Sequence, residues 1–140
     1  MRYKTKKSLD LSLTFKEEFD VSNLFISSYA DNKININNIY YDFPICIFGQ
    51  KVFELSLKDL NSLKSDHIKY LSSQFFSIKA TYPELILIGI DKYNFRDIQR
   101  LRDVSSKNKV GIDLMKIGQA SGTFNFLTLE KRDFITIFIN

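Results

Sequence analysis

Between Gly118 and Asn125 the chain reads Gly-Gln-Ala-Ser-Gly-Thr-Phe-Asn, small and hydroxyl-bearing residues at the start of a helix-like stretch. The chemistry open to such a run is anion binding. Free N–H groups at a helix N-terminus point toward a phosphate or carboxylate, and glycines let it come near. Gly118, Ser121, Thr123 and Asn125 would line that pocket. The run also has a plainer use: Gly118 and Gly122 are four residues apart, share a helix face, and would let the helix pack closely on a strand. The phosphate-loop pattern Gly-x-x-x-x-Gly-Lys-Ser/Thr is absent.

A second candidate is Gly89-Ile90-Asp91, which follows the apolar run Leu85–Ile88. Crevices in open α/β sheets lie beyond the carboxyl ends of strands, so Gly89 and Asp91 would border the same cleft as residues 118–125. Asp91 would lie there and Asp113 lies inside a later strand run; two carboxylates can form an acid–base pair, but nothing in the sequence places these two together. Asp91 beside Asn94 reads more simply as a loop or cap residue. Cys46, in the apolar run Pro44–Phe48, reads as a buried thiol with nothing to lower its pKa. With one Cys and one His (His67) in the chain, a zinc site of the usual ligand types cannot be built. No catalytic residue, metal or cofactor is expected from these residues.

The elements that must hold the cleft follow from periodicity. The first half is antiparallel in character: strands around Leu24–Tyr29, Lys33–Ile36, within the run Ile39–Gly49, where Pro44 marks a strand start or an edge, and over Val52–Leu57, separated by tight turns. The second half alternates strand and helix. A short helix is expected over 72–82, capped by Ser72 or Ser73. The run Leu85–Gly89 lacks polar alternation, as a strand covered on both faces does. Asn94 is a natural N-cap for a helix over 94–109, followed by a strand near 110–115, a helix over 118–131 and a strand over 133–139. Layered α/β architecture follows. Residues 1–20 read as an arm or an extra strand, and 21–140 as one domain, which is ordinary for a chain of 140 residues.

Net charge is +4, and residues 91–110 hold six basic against three acidic side chains. On a helical projection Phe95, Ile98 and Leu101 share an inward side. Arg96, Arg100 and Lys107 share the outward one, a candidate surface for a protein partner. Arg2, Lys4, Lys6 and Lys7 form a second basic cluster. No helix-turn-helix, zinc or RNP pattern accompanies this charge, which argues against nucleic acid. No run of about 18 apolar residues could span a membrane as a helix, and the expected compartment is the cytosol.

The order Pro83–Ile90, a helix, Val110–Met115 and then Gly118–Ile139 resembles a small α/β domain family labelled as of unknown function. Its best-known eukaryotic member is an assembly factor, third in its series, for mitochondrial respiratory complex I, and its bacterial and archaeal members stand alone. Ala120, Thr123, Asn125, Leu127, Glu130 and Arg132 match the family's helix motif. Phe124 stands where Tyr is usual, Ser121 where Cys is usual, and Gly122 where Arg is usual. Lys116-Ile117 replaces an acidic-Thr pair, and Gly89-Ile90-Asp91 replaces Gly-Thr-Gly. The resemblance is weaker over 23–71 and does not cover 1–20. It implies an α/β fold with a mixed central sheet and flanking helices. It also implies a non-catalytic, assembly-factor-like module whose partner belongs to a membrane-bound respiratory complex, with the chain peripheral at that membrane. A contact made by the missing Arg is not carried over. The alternative is a small-molecule or anion-binding protein using the cleft at 89–91 and 118–125.

Overall fold

In the computed structural model, residues 24–140 and the backbone of 6–9 and 13–16 are described. In chain order the strands are β1 (Lys6–Leu9), β2 (Leu13–Lys16), β3 (Ile26–Ala30), β4 (Lys33–Ile36), β5 (Ile39–Asp42), β6 (Ile45–Phe48), β7 (Lys51–Leu55), β8 (Leu85–Gly89), β9 (Gly111–Met115) and β10 (Phe134–Phe138). The helices are α1 (Ser65–Lys79), α2 (Phe95–Asn108) and α3 (Ile117–Leu129). Most of the expected arm over 1–20, with Arg2, Lys4 and the side chains of Lys6 and Lys7, lies outside the described residues.

One mixed sheet has the order β1-β2-β7-β6-β10-β8-β9, and β3-β4-β5 form a separate antiparallel sheet. β10 runs antiparallel to β6 and parallel to β8, so it alone joins the hairpin half to the β8–α2–β9 half. This mixed sheet is what the resemblance implied. Strand alternation then divides the core. Cys46, Phe48, Ile86, Ile88, Ile135 and Ile137 point to the side covered by α1 and α2. Ile45, Ile47, Leu87 and Phe138 point to the other side, where α3 and the small sheet deliver Ala120, Phe124, Ile34 and Ile36. The unalternating strand β8 is indeed buried on both faces.

α2 begins where expected. Asn94 Oδ1 accepts from Asp97 N–H at 3.0 Å and Asp97 Oδ2 accepts from Asn94 N–H at 2.9 Å, a reciprocal capping box. α1 is longer than expected and starts at Ser65, not at Ser72 or Ser73. Its opening is closed by His67, whose Nδ1 accepts from Lys64 N–H at 3.0 Å. Partial burial holds the His67 pKa below its ordinary value, with Asp66 opposing. The neutral ring that accepts this bond therefore stabilises the fold fully above the unfolded-state pKa of ~6.5. That contribution is lost as pH falls through the lower folded-state value. An NMR titration of the ring should show a midpoint below about 6.5, with faster amide exchange at Lys64 beneath it. A midpoint at or above that value would remove the capping role.

Candidate functional site

At the carboxyl end of β8 the expected cleft is occupied by the protein itself. A Cβ built on Gly89 would lie 2.7 and 2.8 Å from ring carbons of Phe138 and 2.9 Å from Ala120 Cβ. Glycine is needed at 89 because a ring and a helix meet there. Asp91 follows and turns back on α3: its Oδ1 accepts from Ile117 N–H at 3.1 Å, while Lys116 Nζ donates to its carbonyl oxygen at 3.0 Å. Lys116 offers α3 no side-chain acceptor, so a carboxylate 26 residues away fills that role. The helix terminus that would attract an anion thus already holds one.

The other proposed lining residues are engaged in the same way. Ser121 is buried and its Oγ donates to Ile117 O at 2.8 Å. Thr123 Oγ1 lies 3.5 Å from Met115 Sδ. Asn125 acts like a short piece of strand: its Oδ1 accepts from Ile26 N–H at 2.8 Å and its Nδ2 donates to Ile26 O at 2.9 Å. That bidentate clamp ties α3 to β3. A Cβ on Gly118 would lie 2.5 Å from the Tyr29 hydroxyl, so Gly118 does provide a close approach. Gly122 does not: nothing lies within 4 Å of the Cβ it lacks. The two glycines therefore do not act together against one strand.

Asp113 pairs with Leu87 in mid-strand, whereas Asp91 lies past the strand end on the helix cap. Cys46 is fully buried, and burial pushes its thiol pKa far up. Among the described residues no group of three or more His, Cys, Asp or Glu side chains could hold a metal ion.

On α2, Arg96 and Lys107 are exposed as expected. Arg100 is not part of that stripe. Its Nη1 and Nη2 donate to Leu63 O at 2.8 Å and Leu60 O at 2.7 Å, and its Nε is buried without a partner. The guanidinium closes the loop before α1 instead of facing solvent. Phe95 departs in the opposite sense: placed on the inward side by periodicity, it is 67% exposed. It sits in the first turn, ahead of the point where the helix meets the sheet. An exposed aromatic beside Arg96 is a feature that helical periodicity hid.

A cavity of about 530 Å³ opens elsewhere, beside the β6–β7 turn at Gly49 and the start of β10 at Phe134. It lies at the end of the sheet opposite Gly89 and Asp91, since β8 and β10 run parallel from Leu85 and Phe134 toward Gly89 and Phe138.

Fold and geometry together define a single small α/β domain whose conspicuous polar groups are engaged in its own scaffold. The chain belongs to the family described as protein of unknown function (DUF498/DUF598), matched over residues 26–139. It is 28% identical over 130 residues to a Francisella tularensis protein named "13 kDa major membrane protein", covering 91% of this chain and 99% of that one. Among solved structures it is similar to a Bordetella pertussis protein described as a Mth938-like domain (TM-score 0.61, 16% identity, 87% of this chain and 90% of that one). It is also similar to an outer membrane protein from Bartonella henselae (TM-score 0.62, 16% identity, 84% and 94% covered). At these identities the structures show the shared fold alone. The resemblance carried by residues 83–139 is thereby met. No helix among the described residues is long and apolar enough to cross a membrane.

Proposed function

We propose that this chain is a non-catalytic interaction module that docks on another protein through the outer face of α2. The observation that carries the reading is Phe95, exposed in the first turn beside Arg96. Aromatic and Arg side chains dominate binding hot spots, and an aromatic held in the open gains most when a partner covers it. Lys107 extends the face and favours a partner with an acidic patch. Arg100, being engaged with Leu60 and Leu63, supports the face from beneath. The resemblance to the assembly-factor family supports a partner in a membrane-bound respiratory complex. The Francisella relative's name is in line with work at a membrane surface, to which a chain made in the cytosol would attach peripherally. The alternative anion site at Gly89, Asp91, Gly118, Ser121, Thr123 and Asn125 is weakened by the internal partners of its polar groups.

The test is affinity capture of the tagged full chain from its own cells after gentle lysis, beside Phe95→Ser and the pair Arg96→Glu with Lys107→Glu. Loss of about 1.4 kcal/mol or more of contact energy should reduce the recovered partner at least about tenfold. The melting midpoint should stay within about 2 °C, as for exposed substitutions. Undiminished capture by both variants would sink this surface.

A further inference from the structure

The cavity by the β6–β7 turn exists because the sheet parts there. The β6–β10 ladder pairs Ile45 with Phe138 and Ile47 with Thr136, and ends before Phe134. Side chains from both faces of the sheet meet around the gap: Phe48 and Phe75 from the side of α1, Leu24, Phe124 and Phe134 from the side of α3. These aromatic and aliphatic side chains share the wall with Gln50, Thr128 and three cationic residues, and the volume of about 530 Å³ falls within the usual range of small-ligand pockets. The charged side chains that line it are Lys79, Lys131 and Arg132, and no acidic residue does.

Of these three, Arg132 is bound to Glu84, with Glu130 and Asp133 also near it. Lys79 and Lys131 have no ion-pair partner among the described residues. They stand where α1 and α3 end, and each full positive charge outweighs the roughly half negative charge of a helix C-terminus. Next in sequence to Lys79 and Thr128, which line the cavity, Ile78 and Leu129 are exposed apolar side chains. A cavity whose wall is part aromatic and part cationic, with two ammonium groups that meet no acid among the described residues, is complementary to a molecule with an apolar tail and a negative head.

We infer that this cavity binds the acyl chain of an anionic amphiphile, with Lys79 and Lys131 at its carboxylate or phosphate. The source is either a free carboxylate amphiphile or an anionic bilayer lipid, and the inference does not depend on the α2 reading. Three probes test it on the full chain: dodecanoate below its micelle concentration, dodecyltrimethylammonium at the same concentration, and vesicles of phosphatidylglycerol or phosphatidylcholine. Dodecanoate should raise the melting midpoint and shift the amide resonances of Gly49, Phe75 and Thr128, while the cationic analogue with the same tail does neither. Lys79→Glu with Lys131→Glu should weaken dodecanoate binding at least about tenfold, as expected for two lost charge-assisted contacts, with the apo melting midpoint kept. Co-sedimentation with phosphatidylglycerol but not phosphatidylcholine vesicles, abolished by the same pair, would assign the lipid source. Dodecanoate binding without vesicle binding would assign the free one. No response to dodecanoate, an equal response to both head groups, undiminished binding by the charge-reversed pair, or resonance shifts confined to other regions would each overturn the inference.

Discussion

Gly89→Ala is expected to destabilise the fold by about 3 kcal/mol, the upper part of the usual overpacking range, and to lower the melting midpoint by roughly 10 °C. The reason is what surrounds the added methyl. It would lie within 2.9 Å of Phe138 on one side and Ala120 on the other. Phe138 is fully buried and stacked on Phe43 at a centroid distance of 5.7 Å, so its ring has no free rotamer into which to retreat. Ala120 is on α3, which Asp91 and Asn125 hold at two points. A second substitution separates this account from a general intolerance of side chains at 89. Ala120→Gly alone should cost about 1 kcal/mol of helix propensity. Combined with Gly89→Ala it should cost clearly less than the sum, because one of the two clashes is gone. Strict additivity in thermal unfolding would refute the contact as the cause.

Replacing Asn125 by Leu should cost about 2–4 kcal/mol, since it strands both a donor and an acceptor of the Ile26 peptide. Position 125 is only half-buried and Leu is a good helix former, so neither a cavity nor propensity explains such a loss. The damage should be local before it is global: the Ile26 amide should lose hydrogen-exchange protection first. Asn125→Asp sharpens the test. A carboxylate still accepts from Ile26 N–H but cannot donate to Ile26 O, and it repels that carbonyl. Protonation restores a donor, so this variant should recover part of its deficit relative to the parent as pH falls through the carboxyl pKa. A deficit independent of pH would mean the second hydrogen bond contributes nothing.

These two positions also show which parts of the molecule local sequence can reveal. The strands β8 and β10 and the helix α2 are visible because apolar runs, a capping Asn94 and a helical period all point the same way. α1 is misplaced at its start because its N-cap is Lys64, a residue type that does not cap by its own side chain, while Ser72 and Ser73 offer a false cap further on. The group that closes it is the ring of His67, a rare capping partner. Phe95 obeys the period yet lies ahead of the packed part of its helix. Arg100 falls on the outward stripe by angle, but its long side chain reaches round to carbonyls at Leu60 and Leu63. The proposed cleft suffers most. Gly89, Asp91 and Asn125 all stand out by residue type, and each has a structural use set by a distant segment: Phe138, Ile117 and Ile26 respectively. The cavity at the other end could not be read at all, because its lining comes from Leu24, the β6–β7 turn, the ends of α1 and α3 and the start of β10, which meet only in three dimensions.

The place of β10 in the sheet has a consequence for how the protein is made. The β6–β7 hairpin and the β8–α2–β9 unit lie on either side of it and share no ladder with each other. Both precede Phe134–Phe138 in the chain, yet neither can cover its inner edge until that strand pairs with it. Until β10 docks, the folding chain therefore carries two unfilled strand edges that face one another across a missing neighbour. Pairing with another chain competes most strongly in that interval. β10 ends that interval by docking with both edges.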